Sequence, residues 1–203
     1  TGDAVASALA VLPDEGTVMV MAGDTPLLRT ETLQRLRSAH GDAAVTVLTA
    51  TVPDGAHYGR LERDAAGQPL RIVEAREASE SQRAIREINT GLYCFDIAWL
   101  RSVLPTLKPH AHKDEIYLTD TVDRAAEEGR CRVIVHADLS EVLGVNDRYE
   151  LAQSRTALQA RVVEAHGRNG VDFIAPQTVV VECDVELGSD VTIGAGCVLR
   201  GST

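Results

Sequence analysis

Asp24 stands just after a nearly continuous apolar run, residues 17–21, and a carboxylate at the carboxyl end of a buried strand has two uses. It can hold Mg²⁺, which takes one or two protein oxygens and completes its shell with water and substrate phosphates. It can equally shape the turn into a following helix. Gly144-Val145-Asn146-Asp147 offers a second polar group at a turn, where Asn and Asp are also ordinary helix caps. Glu74 falls within an apolar strand-like stretch, 70–75, where a carboxylate is costly unless paired or solvated. It suits acceptance of hydrogen bonds from sugar hydroxyls, or a half-exposed strand position. Asn89, Thr90 and Gly91 interrupt a strand pattern with small polar groups, which fits close approach of a ligand and fits a β-bulge equally well. Gly59, between Tyr58 and Arg60, lets backbone meet a sugar or nucleotide, or forms a tight turn. His110 and His112 flank one residue beside Lys113 and Asp114; with no third ligand nearby, the stretch reads as a solvated loop rather than a metal site.

These groups need a scaffold, and from residue 1 to about 136 strand-like and helix-like segments alternate. Strands are expected at 17–21, the first covered on both faces, and at 44–50, 70–75, 85–95 and 132–136. Helices are expected from a Thr30 cap to a Gly41 stop, from an Asp96 cap to about 104, and from about 119 to 128. Alternation of this kind predicts a mainly parallel sheet with helices on both faces. From 147 to 168 the apolar positions Leu151, Leu158, Val162 and Ala165 recur at helical spacing behind a capping pair, Asp147 and Glu150, as in an arm joining two domains. Beyond it, Val179, Val185, Val191 and Cys197 stand six apart, and so do Val181, Leu187, Ile193 and Leu199. Two columns in step at that period predict hexapeptide coils of a β-helix rather than a simple hairpin.

The net charge of -10 and the lack of a Lys/Arg cluster argue against nucleic acid as a partner. An acidic chain still binds nucleotides when backbone amides and a metal handle the phosphates. No stretch approaches the ~20 apolar residues of a membrane span. The four cysteines, widely spaced and without C-x-x-C, fit reduced thiols, and a cytoplasmic location is expected. Thr1-Gly2 leads straight into a helical pattern where an α/β domain usually opens on a strand, so the sequence reads as one whose first part lies elsewhere.

Taken in order, Thr1-Gly2, Gly23-Asp24-x-Pro26-Leu27, Tyr58-Gly59-Arg60, Ile72-Val73-Glu74, Glu87 to Gly91, Tyr117 to Asp120 and Gly144-Val145-Asn146 resemble the bacterial bifunctional N-acetylglucosamine-1-phosphate uridylyltransferase and glucosamine-1-phosphate N-acetyltransferase family. The resemblance runs the whole length. It departs from that family's pattern at Ala22, His57, residues 110–114 and Asp147.

The resemblance implies an α/β, Rossmann-like nucleotidyltransferase three-layer sandwich over 1–148, lacking its first part. A linker helix at 149–169 and the start of a left-handed parallel β-helix at 170–203 follow. It implies transfer of uridylyl from UTP to N-acetylglucosamine 1-phosphate with Mg²⁺, giving UDP-N-acetylglucosamine and pyrophosphate. The product serves peptidoglycan and lipopolysaccharide. In the complete enzyme it also implies acetyl-CoA and glucosamine 1-phosphate as substrates, and a homotrimer. Asp24 and Asn146 would face each other and hold the metal. Thr1, Ala22 and Gly23 would lie against nucleotide or sugar phosphates, and Gly59, Glu74 and Asn89 would line the sugar pocket. No catalytic side chain is implied among these residues. The alternatives are another sugar-1-phosphate nucleotidylyltransferase, making a dTDP- or ADP-sugar, and a non-catalytic relative.

The 203 residues contain no counterpart of the family's Gly-rich loop with its Arg and Lys. Loss of one preorganised charge-stabilising donor costs ~10²–10³ in rate, and several go together here. The isolated chain is therefore expected to release no measurable pyrophosphate from UTP and N-acetylglucosamine 1-phosphate; turnover near that of a full-length enzyme would contradict the assignment.

Overall fold

The computed structural model describes residues 1–110 and 115–202. They form two compact units, Thr1–Leu143 and Gly144–Thr203. The first unit runs α1 (Gly2–Leu9), β1 (Thr17–Val20), α2 (Thr30–His40), β2 (Val45–Thr51), β3 (Arg60–Arg63), β4 (Pro69–Val73), α3 (Glu80–Arg83), β5 (Glu87–Asp96), α4 (Ile97–Val103), α5 (Asp120–Glu127), β6 (Cys131–His136) and α6 (Leu139–Val142). The second runs α7 (Arg148–Arg168), β7 (Asp172–Phe173), β8 (Val180–Val181), β9 (Thr192–Ile193) and β10 (Val198–Leu199).

The first unit is built on a six-stranded sheet in the order β4-β3-β5-β2-β6, with β1 also paired to β5. Side chains alternate along β2 and β5. Val45, Val47, Tyr93 and Phe95 enter one core with Leu9, Trp99, Leu100 and Val122 from α1, α4 and α5. Leu48, Ala50, Leu92 and Cys94 enter the other with Leu36 and Val142 from α2 and α6. Helices thus cover both faces.

The expected mainly parallel sheet is not what forms. Only β2 and β6 pair in parallel; β1–β5, β2–β5, β3–β4 and β3–β5 are antiparallel. A parallel link needs a crossover of roughly a dozen residues or more, normally a helix. Between β2 and β5 the only helix is the four-residue α3, so β3 and β4 close as a hairpin and β5 returns antiparallel between β2 and β1. Strand β1 of the 17–21 run lies at the sheet's edge, exposed at Thr17, with Val18 and Val20 packed against the first core and Met19 against the second, all three half-buried.

Local signals explain the helix ends. Asp96 Oδ1 accepts from the Trp99 amide at 2.7 Å and starts α4. Gly41, at φ 55°, ends α2. The α2 cap position belongs to Arg29, one residue before the expected Thr30. His110 is firmly held: its Nδ1 lies 3.1 Å from Glu77 and its Nε2 2.8 Å from Asp120, and the Asp120 hydrogen bond raises its pKa. The remainder of the stretch read as a solvated loop, 111–114, lies outside the described residues.

In the second unit, Asp147 Oδ1 caps α7 by accepting from the Glu150 amide at 2.8 Å, while Glu150 Oε2 accepts from the amide of Asn146 at 2.6 Å. Two short parallel pairs follow, β7 with β9 and β8 with β10. All eight residues of the two six-spaced columns share one apolar cluster with Val171, Phe173 and Val162 of α7. No helix among the described residues is long and apolar enough to cross a membrane. All four cysteines are free thiols.

One ion pair fastens β3 to β5 beside the region of interest. Arg63 Nη2 lies 2.7 Å from Glu87 Oε1 and its Nε 2.8 Å from Oε2; Thr49 donates to Oε1 at 2.7 Å. Burial pushes the Glu87 carboxyl up, but these donors prevail and hold it below its ordinary 4.5. A depressed carboxylate pKa contributes stability that is whole above the unfolded value and is lost as pH falls through the folded one. Arg63→Met leaves that carboxylate short of its cation and is expected to cost about 1–3 kcal/mol near neutrality. Urea unfolding should show the gap between the two proteins narrowing as pH drops below about 4.5, where the unfolded-state carboxylate protonates; a gap that widened in acid would contradict this.

Candidate active site

Strand β5 carries β2 along one edge and shares the other between β1, paired at residues 93–96, and β3, paired at Ile88. Between the end of β1 and the start of β3 the edge is open. Here β5 bulges: Leu48 and Thr49 on β2 face Leu92 and Asn89, so Thr90 and Gly91 have no opposite number. Thr90 Oγ1 donates to the Leu48 carbonyl at 2.7 Å within the sheet, and Gly91 takes φ 77°, where a side chain would be strained. Of the two uses foreseen for Asn89-Thr90-Gly91, the bulge is the one that forms, and it borders a cavity.

That cavity holds about 270 Å³ and is lined by Thr1, Val5, Val20, Ala22, Glu74, Asn89, Gly91, Tyr93, Leu118 and Thr119, among others. Four of the expected site residues, Thr1, Ala22, Glu74 and Asn89, meet there. Glu74 is not inside a strand as expected; β4 ends at Val73, opposite Arg60, and frees the next residue from the ladder. Its Oε1 accepts from Thr119 Oγ1 at 3.0 Å. Asn89 Oδ1 accepts from the Gly91 amide at 3.1 Å, and its Nδ2 donates to Tyr93 Oη at 2.6 Å. Burial, with the Glu74 charge nearby, pushes the Tyr93 phenol above its ordinary range. Thr1 Oγ1 accepts from the Leu118 amide at 3.1 Å and so joins the end of α1 to the cavity wall.

Gly59 lies outside the lining but supports it. Its carbonyl accepts from the Asn89 amide at 2.9 Å. Arg60, almost wholly buried, folds back to donate to the carbonyls of Tyr58 and Ala56. Gly23 and Asp24 follow Ala22 in an exposed turn. Asn146 belongs to the second unit, where its Nδ2 donates to Glu150 Oε2 at 3.1 Å. Its Oδ1, the atom suited to a metal, is thereby turned to the uncommitted side of the amide. No cluster of three His, Cys, Asp or Glu groups fit for a metal occurs among the described residues. An exposed carboxylate such as Asp24 suits a hard cation that draws most of its shell from phosphates and water.

Sequence reasoning missed Tyr93 and Thr119 as lining residues. Thr119 lay in a quoted motif, and nothing in the periodicity told Tyr93 from its core neighbour Phe95.

The family model for MobA-like NTP transferase domains matches residues 1–95. The chain is 44% identical over 207 residues to "Bifunctional protein GlmU" of Brevibacillus brevis, with 100% of this chain and 45% of that protein covered. It is 45% identical over 208 residues to the protein of the same name in Mycolicibacterium smegmatis, 43% of which is covered. Along its whole length the chain belongs to the GlmU family. It spans less than half the length of these GlmU relatives. A crystal structure described as a putative glucose-1-phosphate thymidylyltransferase from Bacillus anthracis, in complex with a sucrose, superposes with a TM-score of 0.57 at 16% identity. It covers 76% of this chain and 58% of that one. The first unit therefore has a Rossmann-like nucleotidyltransferase fold.

A Cβ added at Gly59 would sit 2.9 Å from Cγ2 of the buried Ile72 and 3.7 Å from the Asn89 Cβ. A branched methyl in a strand cannot swing away, so Gly59→Ala is expected to destabilise by about 1–3 kcal/mol, as overpacking does. Amide shifts at Asn89 and Gly91 in NMR spectra should accompany the loss. Unchanged stability and spectra would mean that the contact relaxes at no cost.

Proposed function

We propose that the first unit binds N-acetylglucosamine 1-phosphate and the UDP-sugar product in the cavity beside the β5 bulge. It would serve an enzyme that transfers uridylyl from UTP with release of pyrophosphate. The observation that carries this is the meeting of Thr1, Ala22, Glu74 and Asn89 around one cavity next to the turn bearing Asp24. Membership of the GlmU family supports it, as does the balance of the lining, an acceptor at Glu74 and a donor at Asn89 against an apolar wall.

On this reading Glu74 accepts from sugar hydroxyls, Asn89 donates to the ligand, and the backbone of Gly59 holds Asn89 in place. Ala22 and Gly23 admit the phosphates closely because neither has a long side chain. Asp24 and Asn146 would hold Mg²⁺, which when bound neutralises phosphate charge. The chain's own part is positioning: reactions of this class need in-line alignment more than a protein nucleophile.

The reading extends to the second unit. Residues 1–148 would be the uridylyltransferase domain, 149–169 a linker helix and 170–203 the first coils of a left-handed parallel β-helix. In a longer protein with further coils, that β-helix would associate in threes and acetylate glucosamine 1-phosphate from acetyl-CoA. We assign such a protein to the cytoplasm.

Calorimetric titration of the chain in Mg²⁺ tests the first unit's role. UDP-N-acetylglucosamine is expected to bind more tightly than dTDP-glucose or ADP-glucose. Asp24→Ala should abolish the dependence of that binding on Mg²⁺ while leaving the melting temperature unchanged. Preference for dTDP-glucose or ADP-glucose would favour the alternative nucleotidylyltransferases, and binding of none would remove the reading.

A further inference from the structure

Asn89 and Tyr93 form a small network whose polarity is set by the backbone. The Gly91 amide can only donate, so the Asn89 atom 3.1 Å from it is the carbonyl oxygen, and the atom facing Tyr93 is the amide nitrogen. At 2.6 Å the Tyr93 oxygen must therefore accept. Its own proton is left over. Among the described residues no acceptor takes it, although Tyr93 is only 4% exposed. The nearby Glu74 carboxylate is joined to Thr119 instead. A buried donor without a partner is costly, and here it borders a cavity.

One Nδ2 proton of Asn89 is also uncommitted among the described residues, so two donors lie side by side at the base of the cavity. Val5, Val20 and Leu118 supply an apolar wall beside them. An acceptor oxygen attached to a small apolar group matches that combination, as a carbonyl bearing a methyl does.

We propose that Tyr93 is a specificity-determining residue: its phenolic O–H, turned outward because the same oxygen accepts from Asn89, donates to the acetamido carbonyl of an N-acetylated sugar phosphate. The inference rests on the proposed sugar-phosphate reading of this cavity and adds the group that separates an N-acetylated sugar from its plain counterpart. Glucose 1-phosphate has no carbonyl to receive either donor, and a site that must leave donors unpaired rejects such a ligand strongly.

The test is calorimetric titration of the 203-residue chain, in Mg²⁺, with N-acetylglucosamine 1-phosphate and with glucose 1-phosphate. Tyr93→Phe removes the hydroxyl and keeps the ring that packs on Phe95. It is expected to weaken the N-acetylated ligand about tenfold, the scale of one buried hydrogen bond, and to change glucose 1-phosphate less than about twofold. Asn89→Asp keeps the tyrosine but offers its proton a carboxylate inside the network, and should remove the same preference with the ring in place. If Tyr93→Phe weakens both ligands alike, or neither, the inference is overturned while the site reading stands. If the unmodified chain binds neither sugar phosphate, both fall together.

Discussion

The hydrogen bond from Thr90 Oγ1 to the Leu48 carbonyl is the constraint on which the rest of the site depends. Two residues of β5 have left the ladder, and a bulge of that size inside a buried sheet leaves backbone groups to satisfy. The threonine hydroxyl supplies a donor to β2 from within the bulge, and Gly91 adopts the left-handed conformation that brings the chain back into register. Asn89, Gly91 and Tyr93 stay on the cavity side of the strand, while Ile88, Leu92 and Cys94 enter the opposite core. The Gly91 amide orients Asn89, and Asn89 orients Tyr93. The supporting contacts sit one layer out, where Gly59 accepts from the Asn89 amide and Arg63 with Glu87 locks the far end of the strand.

Much of this was legible in the residues, unevenly. Strands at 17–20, 45–51, 69–73 and 131–136 announce themselves because burial on one or both faces demands apolar runs, and the caps at Asp96 and Asp147 because their geometry is local. Strand β3 was not legible. Three of its four residues are charged, and Arg60 is buried only because its guanidinium satisfies carbonyls in the preceding loop, a solution no hydropathy pattern encodes. Strand direction was misread for a related reason: alternation counts elements without measuring the links between them, and the link from β2 to β5 is too poor in helix for a parallel return. Among candidate site residues, the small polar trio 89–91 was readable as a break in the strand, and the fold realises it as a bulge. Tyr93 was not readable, since it shares a hydrophobic face with Phe95 and only the neighbouring bulge brings the cavity to it.

The two units draw on different sources of order. In the first, two cores flank a sheet in which the interior strand β2 is buried at every position but its last. The second has no comparable interior. Its strands are two residues long, and its order comes from two parallel strand pairs and one apolar cluster against the long helix. The six-residue period was legible because its apolar positions recur at fixed intervals and all join that cluster, whereas the larger cores draw theirs from irregular spacings.

On that helix, Gln159 accepts from the Val181 amide at 2.8 Å through Oε1 and donates to the Val181 carbonyl at 2.9 Å through Nε2. Val180 and Glu182 already send their amides to the rung on the other side, β10. The carboxamide therefore occupies the one face of β8 where another strand would dock, and offers it the same donor and acceptor that a peptide group would. A side chain in this position is a counterfeit strand. It blocks that edge of β8, so a stray extended segment from another molecule finds the Val181 donor and acceptor already taken.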